Sequence, residues 1–376
     1  MFINDIFFMD NIFDIEKRIS IQCNNQITNL SFWNPSKEYV NMIQRILPVQ
    51  KLTNLFEYVY TYNIDKETRG KVIEKIIDRH ENSQMCMLLP NSTLSILNII
   101  NYLKLHGYKR LWIFQPSYFS VEEACSIFKI PVTKVPLSYT NGKYEISFNL
   151  SKIKLDEAIW ITSPIYSTNC YPDKKMINTI NNLTASNHLV IIDESLNING
   201  YETIRQLNLN KYLFGIYSPH KSLFINGLKF SAIICNKEND DFLEQWIDVL
   251  GGALPTSSIN AVEHFLSENY DLCKSEALKW FDENKRIIIK VLRQYPFAKI
   301  DTLDSIGPYL TVNVNALSLN SLELIEELIK ESFVSIIPGF LNGNRESSFR
   351  INLSLYKHSI GCSLNALLSA ICQKIS

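Results

Sequence analysis

Between residues 85 and 235 the chain alternates short apolar runs with longer stretches in which apolar positions recur every three or four residues. The runs are MCMLLP, RLWIFQ, AIWITS, LVIIDES, YLFGIYS and KFSAIIC, and the stretches between them include TLSILNIINYLKL, SVEEACSIFK and PDKKMINTINNL. A strand buried on both faces needs an unbroken apolar run, and a helix lying on such a sheet needs a 3.6-residue period. The alternation predicts an α/β unit whose mostly parallel sheet lies between two layers of helices.

After GGALPTSS the texture changes. Residues Ile259 to Tyr295 carry charges at helical spacing and no proline, which predicts one long helix. Beyond it, YLTVNVN, VSIIPG and FRINLS read as strands, while SLELIEELIKESF and SLNALLSAICQKI read as amphipathic helices. The expected organisation is a large domain over 48–252 and a smaller α+β domain made of 1–47 and 253–376, the latter including an N-terminal arm. That arm, MFINDIFFMDNIFDIEKRI, is apolar but carries Asp5, Asp10 and Asp14 where a secretory leader carries positive charge. No run in the chain approaches the ~18 apolar residues of a membrane span. The arm is expected to pack on protein, with another subunit as one such surface.

Composition narrows the class of partner. The chain has 376 residues, 46% of them apolar, and so can bury a large core. Its formal charge is −1 with acidic and basic residues interspersed, which leaves no footprint for nucleic acid or an anionic membrane. The eight cysteines (23, 86, 125, 170, 235, 273, 362 and 372) stand singly, so neither a metal site nor a disulfide framework is expected and a reducing, cytoplasmic setting is. A small-molecule partner is the remaining expectation. No internal repeat or low-complexity segment interrupts the chain.

Open α/β sheets bind ligands beyond the carboxyl ends of their strands, so the residues that follow each apolar run carry the argument. Asn91-Ser92-Thr93 follows the first run and opens a helix, where free N–H groups suit a phosphate; an ordinary N-cap is the alternative. Tyr118 follows the second, as a site aromatic or as core packing. Asp193 and Glu194 end LVII, where a carboxylate is costly to desolvate without a positive partner. Lys221 lies in YSPHKSLFINGLK, which follows YLFGI; alone it reads equally as a solvated loop lysine. Lysine amine, carboxylate, aromatic face and phosphate cradle along one edge meet the needs of pyridoxal phosphate. That cofactor is attached to a lysine, and its ring acts as an electron sink when an anion keeps the ring nitrogen protonated.

From Asn29 to Ser354 the order and spacing of these motifs resemble the fold-type I pyridoxal-phosphate enzymes of the class I/II aminotransferase family, in particular histidinol-phosphate aminotransferases and threonine-phosphate decarboxylases. The resemblance implies a mostly parallel seven-stranded sheet in the large domain and a homodimer. It implies that Lys221 carries pyridoxal 5'-phosphate, that Asp193 pairs with the ring nitrogen and that Tyr118 stacks on the ring. Ser92, Thr93 and Ser218 are implied as phosphate ligands, and Tyr62 in YTYNID, or the nearby Tyr60, as a residue reaching the neighbouring subunit's phosphate. Asn34 in LSFWNP and Arg350 in FRINLS are implied to bind the substrate carboxylate, the arginine through its two-pronged guanidinium.

Four positions depart from the family pattern. Lys229 stands where the family has an arginine, His220 where it has a serine, Tyr166 where an asparagine contacts the ring hydroxyl, and Leu196 where many members have a tyrosine at that same oxygen. Tyr166 is therefore expected to supply the missing contact, the alternative being a decayed site. The implied activity is transfer of an amino group between an α-amino acid and a keto acid, within amino-acid metabolism or biosynthesis. Decarboxylase, lyase or cyclase chemistry is the second reading, for which His220 is an extra acid, and a non-catalytic binding protein on the same fold is the third.

Overall fold

In a computed structural model of the chain, the described residues are 2–31, 34–46, 84–140, 142–198, 202–239, 243, 246–247, 249–250, 256–301 and 305–375. The chain divides into two compact units. The larger comprises Gln44–Tyr166 and Cys170–Ser275, and the smaller comprises Met1–Ile43, Ser167–Asn169 and Glu276–Ser376. Residues 256–275, assigned to the small domain on sequence, thus group with the large unit.

The large unit is built on seven strands: β1 (Gln84–Leu89), β2 (Arg110–Gln115), β3 (Val132–Pro136), β4 (Glu157–Thr162), β5 (Leu189–Asp193), β6 (Leu213–Tyr217) and β7 (Ser231–Asn236). They lie in the order β1-β7-β6-β5-β4-β2-β3. The pairs from β6 through to β3 are parallel, and β7 runs antiparallel to both its neighbours. Every residue of β4, β5 and β6 is buried, which is why EAIWIT, LVIID and LFGIY read as nearly continuous apolar runs rather than alternating ones. Register sets Thr162, Asp193 and Ile216 in one row at the carboxyl edge.

Helix Ser92–Leu105 covers this sheet with Ile96, Ile99, Ile100 and Leu103, a spacing that keeps all four on one face. Asn91 caps it, its Oδ1 accepting from Leu94 N at 3.0 Å. The predicted helices Ser120–Phe128 and Lys174–Ala185 are present, and the predicted long helix runs from Thr256 to Leu292 with a π-helical turn over Phe265–Asn269. In β6, Gly215 leaves room for the side chain of Ile204 from the short helix Glu202–Gln206; a Cβ at this glycine would collide with Ile204 Cδ1. The glycine lets that helix sit directly on the strand.

The small unit holds an antiparallel sheet of β8 (Ala298–Ile300), β9 (Tyr309–Val314) and β10 (Ser348–Asn352), with helices Leu322–Ser332 and Lys357–Ile375 packed on each other. The N-terminal segment is a helix, Phe2–Cys23, which packs on Leu322–Ser332 and buries Ile12, Ile15 and Ile19; Arg18 pairs with Glu326 at 2.7 Å. The described part of the arm therefore covers its own unit. Thr311 Oγ1 donates to the Ser167 carbonyl at 2.8 Å, which ties residues 167–169 to β9.

Candidate active site

Lys221 sits on a single helical turn, Pro219–Ser222, that begins two residues after β6. Its backbone N–H donates to Ser218 O at 2.9 Å and its carbonyl accepts from Phe224 N at 3.2 Å, so the turn is fixed on both sides. The ammonium donates to Ser92 Oγ and lies 5.2 Å from the centre of the Tyr118 ring. Burial pushes the Lys221 amine below the ordinary lysine range, and the charge of Asp193 opposes part of that shift.

Asp193, the last residue of β5, is buried, and burial raises its carboxyl above the usual carboxylate range. Hydrogen bonds from Ser195 and the charge of Lys221 pull the other way. Ser195 donates twice to Asp193 Oδ1, from its N–H at 3.0 Å and its hydroxyl at 2.6 Å. Glu194, next in the chain, is fully buried and pushed up to about 8 by desolvation. Its donors are neutral: Thr203 N at 3.2 Å and Asn197 Nδ2 at 3.4 Å.

The structure brings Ser92, Tyr118, Asp193 and Lys221 together at the carboxyl edge of the large unit. Ser92 is buried at the start of its helix, and one turn on Ser95 Oγ donates to Ser231 Oγ at 2.8 Å, which in turn donates to Tyr217 O at 3.1 Å. Ser218 is fully buried and its hydroxyl has no partner among the described residues. Tyr166 is buried with its ring 5.8 Å from that of Tyr118. Leu196 is buried, whereas Thr93 and Lys229 are exposed. His220 is buried against Phe230, with ring centres 5.6 Å apart; burial and the charges of Lys221 and Lys229 bring it down to about 3, so its ring is neutral.

Arg350 and Asn34 belong to the small unit. Arg350 is buried on β10, donates from Nε and Nη2 to Ser31 O at 3.0 and 2.9 Å, and lies over the Tyr309 ring at 5.0 Å. Asn34 is exposed, and its carbonyl accepts from Asn352 Nδ2 at 3.1 Å. Tyr62 and Tyr60 lie outside the described residues. Sequence reading missed Ser195. Its signal was the Asp-x-Ser spacing of an Asx-turn, in which an aspartate accepts from the N–H two residues on.

A model of the aminotransferase class I and II family matches residues 54–359. The chain belongs to that family. Family members are pyridoxal-phosphate-dependent enzymes, mostly aminotransferases with some lyases, and pyridoxal 5'-phosphate is the cofactor that membership brings. Solved structures of similar fold include an Escherichia coli enzyme with methionine aminotransferase function (14% identity, 95% of this chain and 96% of that one, TM-score 0.76). Others are the aromatic aminotransferase of Pyrococcus horikoshii (16%, 93% and 96%, 0.73) and cystalysin of Treponema denticola, which contains pyridoxal 5'-phosphate (17%, 95% and 95%, 0.75). No curated protein sequence matches significantly.

The residues present fit such a cofactor. A buried serine hydroxyl without a partner among the described residues, a second serine at a capped helix start and a partly buried lysine that feels the charge of a buried aspartate form the set that an aminotransferase requires for phosphate, aldehyde and ring nitrogen. Among the described residues no group of three or more His, Cys, Asp and Glu side chains is placed to hold a metal, and no helix is long and apolar enough to cross a membrane.

Proposed function

We propose that the protein transfers the amino group of an α-amino acid to a keto acid, with Lys221 both carrying the cofactor and moving the proton at the substrate α-carbon. The observation that carries this reading is the partly buried Lys221 amine, lowered below its ordinary range by desolvation, donating to Ser92 and acted on by Asp193. An amine of reduced basicity takes a proton and returns it more readily near neutral pH. When bound, pyridoxal phosphate supplies an electron-withdrawing ring that stabilises negative charge at the substrate α-carbon. Asp193 is the residue for its ring nitrogen and Tyr118 for its face. Ser92, Ser218 and the helix start at Asn91 are the residues for its phosphate, with Thr93 and Lys229 at exposed positions on the rim. Tyr166 is the donor to the ring oxygen. Arg350 and Asn34 are assigned to the substrate carboxylate, and retention of that carboxylate is what favours transfer over decarboxylation. The family resemblance further supports a cytoplasmic homodimer in amino-acid metabolism, in which Tyr62 reaches the partner's phosphate.

The test is borohydride reduction of the protein after incubation with pyridoxal phosphate, followed by peptide mapping. The expected outcome is a stable label on Lys221, and loss of both label and turnover, the latter by more than about 10³-fold, in Lys221→Ala. A label on another lysine, or full turnover in Lys221→Ala, would show the assignment to be wrong.

A Staphylococcus hominis C-S lyase shares the fold, which keeps lyase chemistry as a second reading; His220, buried and neutral beside Lys221, holds no proton to give as the extra acid that reading called on. Release of ammonia and a keto acid from an amino acid without any amino acceptor selects the lyase. Turnover that needs a keto acid selects the transferase.

A further inference from the structure

The two hydrogen bonds that Ser195 gives Asp193 come from a turn that is itself anchored on several sides. Asn197 N donates to Glu194 O at 3.0 Å and closes the turn across Ser195. The Glu194 carboxyl reaches Thr203 N at 3.2 Å and Asn197 Nδ2 at 3.4 Å. Thr203 Oγ1 lies 2.5 Å from Ser163 Oγ, just past β4, and Tyr171 Oη donates to Asn197 Oδ1 at 3.2 Å. Ser195 is 7% exposed, so its hydroxyl has little water to turn to. Register neighbours Thr162 and Ile216 bring no titratable group to Asp193, and Lys221 is the charged side chain that acts on it.

We infer that Ser195 is a positioning residue for the cofactor, holding the Asp193 carboxylate in place to pair with the ring nitrogen. The inference rests on the role proposed above for Asp193. A buried carboxylate left without donors takes up a proton and ceases to be an anion. Two donors on one oxygen favour the ionised form and also fix the plane of the group. Lys221 does not duplicate this function, because its amine is the group assigned to the cofactor.

The experiment measures the affinity of the apo-protein for pyridoxal 5'-phosphate from pH 5 to pH 9 in the wild type, Ser195→Ala, Ser195→Thr and Asp193→Asn, with apo melting curves as a check of folding. Wild-type affinity is expected to fall on the acid side as Asp193 takes up its proton. In Ser195→Ala that fall moves to higher pH, and affinity at neutral pH drops about tenfold or more, the size of a lost hydrogen bond to a charged group. Ser195→Thr, which keeps the hydroxyl, follows the wild-type profile. Asp193→Asn is weak throughout and shows no acid limb. A wild-type profile in Ser195→Ala, with Asp193→Asn weakened, overturns the inference and leaves the Asp193 reading standing. An alanine-like profile in the folded Ser195→Thr protein overturns it too, because the hydroxyl would not be the operative group. Wild-type binding by Asp193→Asn overturns both.

Discussion

Burial drives Lys221, Asp193 and Glu194 each toward its neutral form, and their partners decide which of them stays charged. Asp193 and Lys221 act on each other, while the donors to Glu194 are neutral, so Glu194 holds its proton to about pH 8 against an ordinary 4.5. Between those two values the folded state keeps a proton that the unfolded chain has released. The stability this group contributes is therefore complete below the ordinary value and is lost as pH rises through the folded one. Glu194→Gln removes the titration while keeping a side chain of the same shape. The unfolding free energy of the apo variant, relative to wild type, is expected to rise by about 1.4 kcal/mol per pH unit across that window. Urea unfolding of both proteins from pH 5 to pH 8 checks it, and parallel profiles would mean that Glu194 is already ionised in the fold. At this scale the grouping of Ser92, Asp193 and Lys221 was legible because each follows an apolar run, and the structure sets the three together. Ser195 was not, because a serine two residues past an aspartate reads first as turn chemistry, and its service to the carboxylate needs the turn to be buried.

The central strands were legible as elements because burial on both faces leaves no polar position to break the run. Strand β3 was not: VTKVP is largely half-exposed at the sheet edge, preceded by Pro131 and ended by Pro136, which read as punctuation. In the N-terminal helix the buried positions 12, 15 and 19 carry helical spacing, but the dense apolar run before them, MFINDIFF, masks that period. The fit of helix Glu202–Gln206 on β6 is likewise invisible in sequence, since Gly215 looks like any strand glycine until Ile204 is placed against it. Gly215→Ala is expected to destabilise the protein by about 1–3 kcal/mol, the range for overpacking a filled core. Ile204→Val removes the Cδ1 that the new methyl meets, so the double variant should recover part of that loss, a non-additivity readable by denaturant unfolding of the four proteins. Additive losses would place the strain elsewhere than at Ile204.

For the whole molecule, composition marks a boundary at GGALPTSS, yet the division of the chain falls between Ser275 and Glu276 inside one long helix. A helix can pass from one unit to another without any change in residue type at the crossing, so its sequence has nothing to register there. Every described residue assigned to the cofactor, from Ser92 to Lys229, belongs to the large unit. A ligand that binds only the folded state stabilises it by mass action, by about 2.7 kcal/mol at a hundredfold excess over its dissociation constant. The thermal midpoint of the apo-protein should accordingly rise with pyridoxal 5'-phosphate concentration. Pyridoxal without its phosphate should raise it far less, because the buried Ser218 hydroxyl and the capped start of helix Ser92–Leu105 would find no anion to bind. Lys221→Ala should keep the preference for the phosphate ester while losing part of the rise, since the phosphate cradle survives and the covalent attachment does not. Equal shifts from pyridoxal and its phosphate would mean that these two groups do not bind phosphate, and the assignment of Ser92 and Ser218 would fall with them.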